Sequence, residues 1–180
     1  MNPQDSLEKR LKMAEMHDDV LKRIDDAIKK KHSIEACWLC YSCFESRITR
    51  TLEKASEQCA IKKCHENPRV GIASRIECIK RLRRMSYCSL DCFTADTLGQ
   101  VLSWCKERNQ LVHALVTLNN YYGMDSKFMA LAKRGKPLVV KLYDETTAFR
   151  NKYYEISTIP AFPVDATKKC RLCKKHDEEN

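Results

Sequence analysis

Leu7, Leu11, Ala14, Val20, Leu21, Ile24 and Ile28 recur at helical intervals among charged neighbours. The pattern predicts an amphipathic helix over 5–30 with Asp5 as its N-cap. Ser33 stands as N-cap of a second helix, which runs to about Gln58 through IEACWLCYSCFESRITRTLEKASEQ. The apolar first half of that helix marks it as a central, buried element. The pattern breaks between Cys59 and Pro68, a shorter basic helix follows over Ile72–Met85, and 86–96 reads as a loop without a clear period. Helical spacing returns between Ala95 and Asn120 in Leu98, Val101, Leu102, Trp104, Leu111, Val112, Leu115 and Leu118, with a joint expected near Lys106–Asn109. A last helical region, 126–154, is expected to be interrupted at Gly135-Lys136-Pro137, because proline removes a backbone donor. Beyond Tyr154, Pro160 and Pro163 lead into a polar, cysteine-bearing end.

These elements imply an all-α fold: an up-and-down bundle of four to five helices over 1–158, followed by an extended basic tail over 159–180. The 180 residues suffice for one domain with its own core. With only 4 Gly and 5 Pro, a many-turned β architecture is disfavoured. No apolar run is long enough to span a membrane, and the first twenty residues lack the apolar stretch of a secretory signal. The expectation is a cytoplasmic protein with no membrane attachment. Thiols stay reduced there, so the 11 cysteines read as core residues, metal ligands or reactive thiols before any disulfide scheme. A net charge of +9 favours an anionic partner. The basic clusters Arg75, Lys80, Arg81, Arg83, Arg84 and Lys168, Lys169, Arg171, Lys174, Lys175 each read, taken alone, as solvated surface.

Candidate chemistry is concentrated in WCKERNQLVHALVTL, residues 104–118. Arg108 precedes His113 by five residues, and Asn109 lies one turn before the histidine on a predicted helix anchored by Leu111, Val112, Leu115 and Val116. The bare R-x-x-x-x-H pattern is common; its helical setting makes it informative. Histidine moves protons near neutral pH, and arginine supplies a permanent planar charge for phosphate. Asn109 can fix the imidazole or hydrogen-bond the phosphate. On an ideal helix Arg108 and His113 lie about 140° apart, so a long arginine side chain or a second copy's motif has to close the gap. Glu45, in CFESRITR, can orient Arg108 or pair with Arg47 or Arg50.

This stretch resembles the R-N-x-x-x-H signature of the HEPN superfamily, helical-bundle ribonucleases of toxins, abortive-infection proteins and RNA-guided antiviral nucleases. The resemblance covers about 5–155, its specific part being the short motif. It implies a metal-independent endoribonuclease cleaving RNA through its 2′-hydroxyl, with Arg108, Asn109 and His113 catalytic, working as a homodimer and held by an antitoxin or defence-system partner. Family members paired with a nucleotidyltransferase antitoxin often carry a tyrosine two residues after the histidine; Leu115 stands there, which puts that regulation in doubt.

Cys37, Cys40 and Cys43 recur at helical spacing in an apolar helix, as core residues do, and Cys78, Cys88, Cys92 and Cys105 read similarly. Cys59 and Cys64 flank the break after the second helix, and Cys170-Arg171-Leu172-Cys173 forms C-x-x-C in the tail. Together they are candidate ligands of a structural zinc, with His65 or His176 as substitutes, which would dock the tail and leave catalysis metal-free. A disordered tail whose cysteines do nothing is the alternative. The competing functional reading is a non-catalytic RNA-binding or adaptor module keeping bundle and zinc. A zinc-dependent hydrolase is disfavoured, since no three-ligand catalytic set is seen.

Overall fold

The computed structural model describes residues 3–59, 71–84, 88–117 and 123–156, with side chains over 15–55, 71–84, 90–117 and 123–152. All regular structure among them is helical. The α-helices are α1 (Pro3–Lys29), α2 (Ser33–Cys59), α3 (Ile72–Arg84), α4 (Ala95–Thr117) and α5 (Met124–Ile156). A 3₁₀ turn, Cys88–Cys92, occupies part of the stretch without a period. Asp5 lies inside α1 instead of capping it. The joint expected at Lys106–Asn109 is absent, α4 being continuous, and α5 passes through Pro137 without a break. An internal proline costs a helix about 3 kcal/mol. Leu131, Ala132, Val139 and Leu142 are buried on either side of it, while Pro137 itself is exposed. Packing of the flanking turns therefore holds α5 together where one backbone bond is lost.

The bundle expected over 1–158 divides into two compact units, one from Met1–Ser42 and Arg108–Pro137, the other from Cys43–Glu107 and Leu138–Asn180. The expected boundary at 158 and the tail lie outside the described residues.

In the first unit, α1 ends in a tight turn. His32 N–H donates to Ala27 C=O (2.8 Å) and Lys31 N–H to Ile28 C=O (3.2 Å), with Lys31 left-handed at φ 61°. This is a Schellman cap with lysine where glycine is the usual occupant. The first α2 bond runs from Ala36 N–H to His32 C=O (3.0 Å), so His32 holds the cap position. Ser33, expected there, is buried, and its hydroxyl donates to Asp125 Oδ1 at the start of α5 (3.0 Å). One turn on, the Cys37 thiol donates to the Phe128 carbonyl (3.1 Å), so α2 and α5 run parallel here. Asp25 meets Lys136 (2.6 Å) while Ile28 shares a hollow with Asp125 and Met129, which sets α1 antiparallel to α5.

In the second unit, α5 runs antiparallel to α4 and the turn before it. Asp91 pairs with Lys152 (2.6 Å) and Asp96 with Lys141 (3.1 Å). Between them, Thr94 caps α4 by accepting from Thr97 N–H (3.0 Å), and the Thr94 and Thr97 hydroxyls donate to Glu145 Oε1 (3.0 and 2.6 Å). A buried carboxylate thus closes a helix N-terminus, where negative charge is favoured. Phe44 meets Trp104 edge-on, ring centres 5.1 Å apart, and Phe93 packs on Phe149. Arg75, read from the sequence as solvated surface, is buried. Its guanidinium donates to Thr49 Oγ1 (2.7 Å) and lies 3.9 Å from Glu45.

Two substitutions test these closures by urea denaturation. Lys31→Gly removes the left-handed strain and is expected to raise stability by about 1 kcal/mol. Thr97→Val, nearly isosteric, withdraws a hydroxyl from buried Glu145 and is expected to lower stability by about 1–3 kcal/mol.

Candidate functional site

The direction of each side chain on α4 follows from its phase on the helix. Thr97, Leu98, Val101, Trp104 and Cys105 are buried and define the inward stripe. At 100° per residue, Arg108 falls within about 20° of the centre of that stripe, Asn109 about 80° away and His113 about 120° away. The structure agrees: Arg108 is half-buried, whereas Asn109 and His113 are exposed. Helix α4 therefore carries a guanidinium where its stripe calls for an apolar side chain.

Two aromatic side chains of α2 receive it. The Arg108 guanidinium carbon lies 4.6 Å from the ring centre of Tyr41 and 5.4 Å from that of Trp38. Its Nη1 donates to Asn109 Oδ1 (3.1 Å). On α2 the buried Ala36, Cys37 and Cys40 fix the inward direction, which leaves Tyr41 about 90° to the side and Trp38 about 150° away, facing out. Tyr41 is half-buried and Trp38 is 59% exposed. The expectation of a buried first half of α2 holds at Ala36, Cys37, Cys40 and Phe44 and fails at Ile34 and Trp38. The apolar run concealed the role of Trp38, and its phase relative to the cysteines was the available signal.

The motif residues thus occupy one continuous helix, with Arg108 clamped against α2 and its neighbour Asn109, and the His113 side chain open to solvent. The His113 carbonyl accepts a hydrogen bond from Thr117 Oγ1 (2.8 Å), continuing the helix. Asn109, expected to serve the imidazole or the phosphate, gives its carbonyl oxygen to Arg108. Glu45 belongs to the second unit and has its ion pair with Arg75, not with either neighbouring arginine anticipated for it. Arg47 instead stacks over Tyr143 at 4.4 Å, and burial lowers its pKa.

Of the cysteines whose side chains are described, four lie in the core as expected, whereas Cys43 and Cys92 are only half-buried. Cys37, Cys40, Cys78 and Cys105 are buried. Burial pushes the thiols of Cys43 and Cys92 above their ordinary pKa, so neither is primed as a thiolate. Among the described residues no group of three or more His, Cys, Asp or Glu is placed to hold a metal ion. Of the anticipated zinc ligands, Cys64, Cys170 and Cys173 lie outside the described residues, as do the substitutes His65 and His176, and Cys59 is described only as the last residue of α2. No described helix is long and apolar enough to cross a membrane.

No protein-family model, curated protein or solved structure matches the chain.

A partly solvated guanidinium–aromatic contact contributes about 0.5–1 kcal/mol. With two such contacts, Arg108→Ala is expected to lower stability by no more than about 2 kcal/mol in thermal or urea unfolding. A larger loss would mean that Arg108 holds the fold, not a site.

Proposed function

We propose that the chain is a metal-independent endoribonuclease of the HEPN type, acting on RNA in a toxin or antiviral-defence setting, with Arg108, Asn109 and His113 as its active residues. The observation that carries this reading is the display of the whole motif on one unbroken helix, with the arginine braced and the histidine open to solvent. The excess of basic residues suits an RNA substrate.

In this reaction the ribose 2′-oxygen attacks the neighbouring phosphorus while His113, as general base, takes its proton. The bond from phosphorus to the 5′-oxygen breaks, a proton is returned to that oxygen, and the products are a 2′,3′-cyclic phosphate and a free 5′-hydroxyl. Arg108 offers its remaining N–H groups to the phosphoryl oxygens, whose charge grows in the transition state. Tyr41, Trp38 and Asn109 limit the arrangements open to the arginine beforehand, lowering the entropy lost when phosphate binds. Because Arg108 and His113 leave α4 about 140° apart, we include a homodimer in the proposal, so that a second copy's motif completes the site. A cytoplasmic location and an antitoxin or defence partner restraining the enzyme belong to the same reading, as does a structural zinc held by Cys59, Cys64, Cys170 and Cys173.

A second reading, an RNA-binding or adaptor module without catalysis, draws support from Trp38 and Arg108, which can hold RNA without any proton transfer.

Cleavage of cellular RNA in excess EDTA decides between them. The expected result is fragments ending in cyclic phosphate from the wild type and a loss of at least about 100-fold in His113→Ala. Equal cleavage by both would remove His113 from the site. Salt-dependent binding without cleavage by either would establish the second reading.

A further inference from the structure

Bracing Arg108 uses little of the Trp38 indole, which remains a large exposed aromatic beside the proposed phosphate-binding group. We propose that Trp38 is a base-stacking residue: it receives a nucleobase of single-stranded RNA whose phosphate lies on Arg108. The inference rests on the proposed RNA-directed function and names the part of the substrate that this site holds.

Three observations converge on a nucleotide as the occupant. First, the indole is 59% exposed although it neighbours the buried Cys37, so the helix turns a flat apolar surface outward. Stacking on such a surface is sequence-tolerant, because every base has a π-face. Second, the Arg108 guanidinium carbon is 5.4 Å from the indole centre, so a phosphate-binding cation and a stacking surface adjoin, the pairing by which proteins hold single strands. Third, the centre of a protein–protein contact is depleted in charged groups and covering a charge there is costly, and here a permanent cation sits directly against the aromatic surface. An anionic polymer with flat bases satisfies both halves of the patch, the phosphate meeting the guanidinium and the base covering the indole. Tyr41, with the guanidinium 4.6 Å from its ring centre, is the positioning residue that fixes Arg108 relative to Trp38.

Tryptophan fluorescence of the full chain tests this. The chain has two tryptophans, of which Trp104 is 3% exposed, so base-dependent quenching reports on Trp38. The measurement uses His113→Ala, to prevent turnover, and compares an oligouridylate with an abasic oligoribonucleotide of equal length and charge. Anisotropy of labelled oligonucleotide follows binding in parallel. The expected result is saturable quenching by the oligouridylate and not by the abasic chain. In Trp38→Phe the quenching should vanish, and in Trp38→Ala affinity for the oligouridylate should fall roughly tenfold further than affinity for the abasic chain, which loses only the indole's share in bracing Arg108. Binding without quenching, equal effects of both probes, or no binding would overturn the proposal. So would an emission change on raising protein concentration alone, since a second copy would then be covering Trp38. Quenching with no cleavage by wild type would retire the ribonuclease reading and leave stacking in place. Cleavage with no quenching would do the reverse.

Discussion

Everything in the candidate site depends on the burial of one stripe of α2. Ala36, Cys40, Phe44, Ile48, Leu52 and Ala55, spaced by three or four residues, are all nearly or wholly inaccessible. With a 3.6-residue turn, that stripe sets the azimuth of every other side chain on the helix. Small residues occupy its first turns and larger ones follow, so partner helices approach closely near Cys37, where a thiol reaches a backbone carbonyl of α5. The outward rotation of Trp38 and the sideways placement of Tyr41 are consequences of this stripe. Moving its register by one residue would swing each of them through about 100° and dissolve the cradle around Arg108.

Helix α4 supplies the complementary constraint. Its inward stripe runs from Thr97 to Cys105 and then continues into a permanent cation. Partial burial of an arginine is tolerable when its aliphatic stem lies on apolar surface and its head keeps some solvent and good partners. The faces of Tyr41 and Trp38 and the carbonyl of Asn109 provide those partners. Arg75 shows a different solution in the second unit, deeper burial against a threonine hydroxyl with a carboxylate nearby.

Helix number, order and most boundaries were legible because amphipathic periodicity is a local signal, strong over the twenty or more residues of α2, α4 and α5. The expected breaks at Lys106–Asn109 and Pro137 failed for the same reason in opposite form: propensity is local, whereas burial of Trp104, Cys105, Val139 and Leu142 comes from other helices and outweighs it. The motif on α4 was legible as residues and phase. The aromatic brace was not, since a run of apolar letters does not say which member of the run faces out. Nor was the pairing of Glu45, because Arg75 stands thirty positions along the chain, beyond the reach of helical neighbour rules.

The first unit is assembled from two stretches separated in sequence, Met1–Ser42 and Arg108–Pro137. During synthesis α1 and α2 emerge long before their partners, and the Cys37 and Ser33 side chains wait some ninety residues for the Phe128 and Asp125 groups they bind. Until then the apolar stripe of α2 faces solvent or transient partners such as chaperones. The brace for Arg108 cannot form on a nascent chain that stops short of α4. Any chemistry performed at that arginine is thereby withheld until α4 has followed α2 out of the ribosome, a delay written into the chain order itself.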